Sequence, residues 1–180
     1  MSKKVLVISS SLRVGGNSDL LADEFARGAK EAGNSVEKIN LAGKTINFCR
    51  GCLACQKTMR CVIKDDAAEI AQKMLTADVI AFATPIYYYE MSGQLKTMLD
   101  RANPLFPADY SFRDIYFIAT AADGEDEAAE RAINGLGGWI ECFPKAKLAG
   151  TVLGMGVDEK GEILEHPEML MNAFETGKKV

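Results

Sequence analysis

The chain has 180 residues, of which 48% are hydrophobic and 26% charged, with a net charge of −4. This is ordinary globular usage and suits one domain over residues 1–180, which at such a size buries about 70% of its unfolded surface and folds without a disulfide or metal staple. The mildly negative charge, with no basic run, argues against a nucleic-acid partner, and no apolar stretch is long enough to span a bilayer.

From Met1 the chain passes directly into a strand-like run that leaves no room for a signal peptide, so a cytoplasmic location is expected. Lys4-Val5-Leu6-Val7-Ile8-Ser9 is nearly continuous and rich in β-branched residues, the pattern of a central strand buried on both faces. Asn17 or Ser18 can cap the helix that follows, with Leu20, Leu21, Phe25 and Ala29 on its inner stripe and Gly33 as its stop. Residues 35–41 alternate like a half-exposed edge strand. Asp65-Asp66 opens a helix carrying Ile70, Met74 and Leu75, the acidic pair suiting the positive end of the helix dipole. Val79 to Ala83 is a third buried strand, ending at Thr84-Pro85. A helix is expected from about Ser92 to Ala102, then a fourth strand over Ile115 to Ala119 and a helix from about Glu125 to Cys142. A fifth strand near Leu148 to Leu153 and a closing helix begun by Pro167 complete the series.

Strand–helix alternation of this kind specifies a parallel sheet covered by helices on both faces. With five strands the leading arrangement is an α/β, doubly wound, three-layer sheet of flavodoxin-like order 2-1-3-4-5. Its ligand crevice lies at the switch between the first and third strands, outside their carboxyl ends.

That crevice is lined by Ser9-Ser10-Ser11-Leu12-Arg13-Val14-Gly15-Gly16-Asn17-Ser18. A phosphate asks for backbone N–H groups at a helix start, small residues for close approach, hydroxyl donors and a cation, and this loop holds all four. It is neither a G-x-G-x-x-G dinucleotide fingerprint nor a triphosphatase loop with Gly-Lys-Ser/Thr. The plain alternative is a polar turn with a good helix cap. Two further segments at the same sheet edge favour a ligand. Thr84-Pro85-Ile86-Tyr87-Tyr88-Tyr89 offers apolar and aromatic surface suited to a planar ring, and Thr120-Ala121-Ala122-Asp123-Gly124 follows the fourth strand.

In these three segments, and in Ser92-Gly93-Gln94-Leu95-Lys96 leading to Leu99-Asp100-Arg101, the sequence resembles the NAD(P)H-dependent FMN reductases of the flavodoxin-like superfamily. The resemblance implies that Ser9, Ser11, Arg13, Asn17 and Ser18 hold the FMN phosphate. It implies that Pro85, Ile86, Tyr87 and the loop carrying Thr120, Ala121, Asp123 and Gly124 contact the isoalloxazine ring. It also implies a homodimer or tetramer. Lys96, Asp100 and Arg101 read as helix packing, surface charge or a subunit contact. Tyr88, Tyr89 and Trp139 read as core or interface, Cys142 as packing and His166 as a helix-entry residue.

Four of the five cysteines fall at Cys49, Cys52, Cys55 and Cys61. Compact C-x2-C-x2-C spacing is typical of [4Fe–4S] ligation, whereas zinc sites more often split their ligands into two separated pairs. The segment resembles the cysteine motif of the iron–sulfur flavoproteins, a branch of the same family. Beside that stand ordinary buried thiols and a redox-active pair, Cys52 and Cys55. The resulting expectation is an oxidoreductase passing electrons from NAD(P)H through FMN to a small-molecule acceptor: a flavin, a quinone, or a nitro- or azo-aromatic. An electron-transfer iron–sulfur flavoprotein with a ferredoxin-type donor stands second, and a non-enzymatic binding protein on the same scaffold third.

Overall fold

The computed structural model describes residues 2–180. The first half of the chain builds β1 (Lys4–Ser9), α1 (Asn17–Glu31), β2 (Ser35–Asn40), the single turn α2 (Cys55–Thr58) and α3 (Asp66–Thr76). The hairpin β3 (Val79–Tyr87) and β4 (Glu90–Met91) follows, then α4 (Gly93–Arg101) and β5 (Asp114–Ala121). The chain continues through α5 (Glu130–Glu141), β6 (Lys147–Met155) and α6 (Pro167–Lys178).

The five parallel strands lie in the order β2-β1-β3-β5-β6, which is the expected 2-1-3-4-5 once the short antiparallel β4 on β3 is set aside. Alternation along the strands divides the core in two. Leu6, Ile8, Ile80, Phe82, Ile115 and Phe117 face α3, α4 and α5, where Trp139 stacks among Phe82, Phe112 and Phe143. Val5, Val7, Ala81, Ile118 and Val152 face α1 and α6. Those two helices approach so closely that a Cβ on Gly28 would lie 2.0 Å from the Phe174 carbonyl oxygen, and one on Gly177 would lie 2.0 Å from that of Phe25. Only glycine fits at either position.

Local differences from the sequence expectation have local causes. Gly16, in extended backbone, takes the cap position of α1, so Asn17 and Ser18 are its first helical residues rather than its caps. Their side chains have other work at the sheet edge. The stretch after Pro85 remains in strand and turns back at Tyr88-Tyr89, making a hairpin where an open loop was expected. Cys142 is exposed rather than packed. Of the readings open to Arg101, which were helix packing, surface charge or a subunit contact, burial favours packing: it is 1% exposed.

Candidate functional site

A cleft of about 360 Å³ opens at the carboxyl ends of β1, β3, β5 and β6, at the predicted switch point. Its first wall is the β1–α1 loop, through Ser11, Arg13, Gly16, Asn17 and Ser18. Its second is Pro85, Ile86, Tyr87 and Tyr88 of the hairpin, and its third is Thr120, Ala121 and Ala122 after β5. A fourth comes from Val157, Asp158 and Lys160 after β6. Nine of the residues expected around a cofactor therefore share one cleft: Ser11, Arg13, Asn17, Ser18, Pro85, Ile86, Tyr87, Thr120 and Ala121.

The phosphate-type wall is shaped by its short residues. The Gly16 cap supplies no side-chain hydrogen bond to α1, so the N–H groups of the first helical turn are left without partners. A Cβ on Gly16 would come within 2.8 Å of the Arg13 carbonyl oxygen and 3.0 Å of Ser11 Oγ. The tightness of the turn thus depends on glycine there. Ser11 Oγ donates to the Arg13 carbonyl at 3.0 Å. Asp19, buried in the first turn of α1, accepts from the Gly15 N–H and pairs with Lys38 at 2.8 Å. Burial pushes its carboxyl up, but the bonds from Lys38 and Gly15, with Ser9 close by, outweigh that and hold it below the usual carboxylate range.

Three of the expected residues lie just behind the cleft. Ser9 is fully buried and outside the cleft lining, and its hydroxyl has no hydrogen-bond partner among the described residues. Asp123 bridges two walls: its carboxylate accepts from Tyr89 Oη at 3.2 Å, and its carbonyl accepts from the Gly156 N–H at 2.9 Å. Gly124 packs against Gly156 at the same joint. Outside the lining, at the ends of β1 and β3, lies a buried polar chain whose members the sequence reading did not connect. Ser10 Oγ donates to the Ala83 carbonyl, Ser92 Oγ donates to Ser10 Oγ, and the Ser92 N–H donates to Thr84 Oγ1. It ties the ends of β1 and β3 to the start of α4.

The cysteine segment lies apart. Cys49 and Cys52 are exposed, Cys61 is half-buried, and buried Cys55 accepts from Asn103 Nδ2 at 3.1 Å. Among the described residues no group of three or more His, Cys, Asp or Glu side chains converges as a metal site. The donor set has the chemistry for a cluster; as placed, its geometry does not form one. Arg101 holds the segment's end, donating to the Asn47 and Ile63 carbonyls and, through both terminal nitrogens, to Asp65 at 2.7 Å.

An open, doubly wound sheet with a cleft at its switch point and an uncapped helix start in one wall defines a flavodoxin-like protein. The family model for NADPH-dependent FMN reductase matches residues 3–150, and the chain belongs to that family. It is 32% identical, over 94% of both chains, to a Bacillus subtilis protein named as an NAD(P)H-dependent FMN-containing oxidoreductase, YwqN. It is 43% identical over 102 residues to iron–sulfur flavoprotein MJ1083 of Methanocaldococcus jannaschii, which is 57% of this chain and 53% of that protein. The chain spans about half the length of the first iron–sulfur flavoproteins it matches. Its fold superposes on an NAD(P)H:quinone oxidoreductase from Methanothermobacter marburgensis with a TM-score of 0.77, covering 99% and 96% of the two chains at 17% identity. No helix among the described residues is long and apolar enough to cross a membrane.

Proposed function

We propose that residues 1–180 act as one FMN-dependent oxidoreductase unit that takes electrons from NAD(P)H and passes them to a small planar acceptor such as a quinone. The observation that carries this reading is the uncapped start of α1 opening into a cleft whose other walls are hairpin and loop backbone at the switch point. Bound FMN supplies hydride acceptance and onward electron transfer.

The protein's share is binding and orientation. The first-turn N–H groups of α1, the Ser11 hydroxyl and Arg13 suit the phosphate. Pro85, Ile86, Tyr87, Thr120 and Ala121 suit the ring, and their packing shields it from water on the protein side. Asp123 would act on the ring indirectly, by holding the hairpin, and Gly124 by packing at the joint with Gly156, while Ser9 lies behind the phosphate wall. Apolar residues exposed around the same edge, including Phe48 at 79% and Leu12, support assembly as a homodimer or tetramer. The expected location is the cytoplasm.

Titrating apoprotein with FMN, followed by flavin fluorescence, tests the reading. Wild-type protein should bind FMN and then oxidise NADPH in the presence of a quinone. Ser11→Ala with Arg13→Ala should loosen FMN about tenfold or more, whereas unchanged affinity would remove the phosphate from this loop.

The second reading places a [4Fe–4S] cluster on Cys49, Cys52, Cys55 and Cys61, with a ferredoxin-type donor. It is supported by the cysteine spacing and by the names of relatives such as MJ1083 and opposed by the separation of the side chains. Iron and sulfide assays on protein purified without oxygen decide between them: about four of each per chain for the cluster, negligible amounts without it.

A further inference from the structure

The fourth wall of the cleft lies beyond the residues that the family model matches. Residues 156–163 leave β6 and fold back across the β1–α1 loop as a strap. Gly156 and Gly161, at φ +77° and +83°, make its two bends. Just past the second bend, Glu162 accepts from the N–H groups of Asp158 and Glu159 at 2.7 and 2.9 Å, so the tip is a closed turn.

Three bonds fasten this strap to the loop beneath. Arg13 Nη1 donates to the Asp158 carbonyl at 3.3 Å, and Asn17 Nδ2 donates to the Glu159 carbonyl at 2.9 Å. Asn17 Oδ1 accepts from the Ile163 N–H at 3.2 Å. Both polar atoms of the Asn17 amide are therefore committed to the strap. Asn17, one of the residues expected at the phosphate, thereby holds the strap in position.

Lys160 sits at the strap's tip. It borders the cleft with Ser11, Arg13 and Ser18, and its Cε lies 3.9 Å from where a Cβ on Gly15 would stand. Among the described residues it forms no ion pair within 4.0 Å. The charged groups lining the cleft are Arg13, Asp158 and Lys160, a net positive set beside an uncapped helix start. One of its two cations, Arg13, already bonds the strap backbone.

We propose that Lys160 is a phosphate-contacting residue, which meets the FMN phosphate from the strap side while the α1 N–H groups and Ser11 meet it from the loop side. The proposal rests on the FMN reading above. A strap of this kind places the cation at a fixed height over the helix start, because Asn17 sets the strap's position through two bonds. An ammonium on an exposed tip is a point charge rather than a fork, so arginine should substitute for it partially.

Apoprotein titrations with FMN and with riboflavin, which lacks the phosphate, test this directly. Lys160→Ala should weaken FMN about five- to twentyfold and leave riboflavin within about twofold, and Lys160→Arg should recover most of the FMN affinity. An unchanged FMN affinity in Lys160→Ala overturns the proposal. So does an equal loss for both flavins, which would make Lys160 a structural part of the strap. A raised KM for NADPH with FMN binding intact also overturns it and assigns the ammonium to the nicotinamide cofactor's phosphates. If wild-type protein binds neither flavin, the FMN reading itself fails, an outcome distinct from all of these.

Discussion

Arg101 reaches from the end of α4 into a dry site, where its two terminal nitrogens close on Asp65 with side-chain exposures of 0% and 2%. Nε of the same guanidinium is buried without a partner. Burial pushes the Asp65 carboxyl up, but the bonds from Arg101 and Asn47 outweigh it and hold the acid well below the usual carboxylate range. A folded-state pKa below the unfolded one means that the stabilisation is complete at neutral pH, begins to fall below about pH 4 and is lost only as the pH passes through the folded-state pKa. Asp19 adds a smaller contribution of the same sign. Asp65→Asn would strand a buried guanidinium and should cost about 3–5 kcal/mol at pH 7. Urea midpoints at pH 7 and pH 3 should show a partial acid loss for wild type, because folded Asp65 is still ionised at pH 3, and a flatter profile for the variant. None of this was legible in the sequence. A charged residue near a helix end reads as solvated surface, and its partner stands 36 positions away. What the sequence did show was the position of the β1–α1 loop at the sheet edge, because strand, loop and helix start are contiguous there; its composition left both a ligand loop and a capped polar turn open.

At the scale of elements, the β3–β4 hairpin is the strained one. Its two-residue turn places Tyr88 and Tyr89 at φ +52° and +65°, where glycine and asparagine are favoured and each bulky residue costs roughly 1–2 kcal/mol. Tyr89 recovers part of that through Asp123 and by lying under Arg131 at 5.9 Å, whereas Tyr88 stands 98% exposed at the cleft mouth. Replacing the pair with Asn-Gly should therefore raise stability by about 1 kcal/mol, or roughly 2–4 °C in melting temperature for a chain of this size. Calorimetry checks it; a lower melting temperature would mean that the tyrosine contacts outweigh the strain. The hairpin escaped the sequence reading for the same reason. Tyr-Tyr carries no turn signal, and the run from Thr84 reads as loop because Pro85 follows a buried strand. The regular strands and helices, by contrast, follow the apolar period closely and fall within a few residues of expectation.

Across the whole molecule, the cleft depends on segments far apart in sequence. Alternation specified the parallel sheet and made 2-1-3-4-5 its leading order, but it did not reveal the fourth wall, because Lys160 comes over the Gly15 turn only after β6 has crossed to the far edge of the sheet. The strap starts at the end of β6 and runs on into α6, so the α1–α6 contact bears on its far end. Gly177→Ala would press a methyl into the Phe25 carbonyl, and separating the helices should cost about 1–3 kcal/mol, towards the upper end. Because α6 anchors the strap, FMN affinity should fall along with the urea midpoint; a stability loss with affinity intact would uncouple the two. The glycine contact also bears on how the protein is made. Gly28 and Gly177 are 149 residues apart, so α1 emerges from the ribosome long before the helix it must touch. Closing so long a loop is among the slowest steps open to a chain of this kind. Until then the β1–α1 loop lacks its strap, and the nascent chain carries an exposed apolar face on α1. Cofactor capture is therefore a late event, after synthesis has passed residue 177, and for most of translation that face depends on other factors for cover.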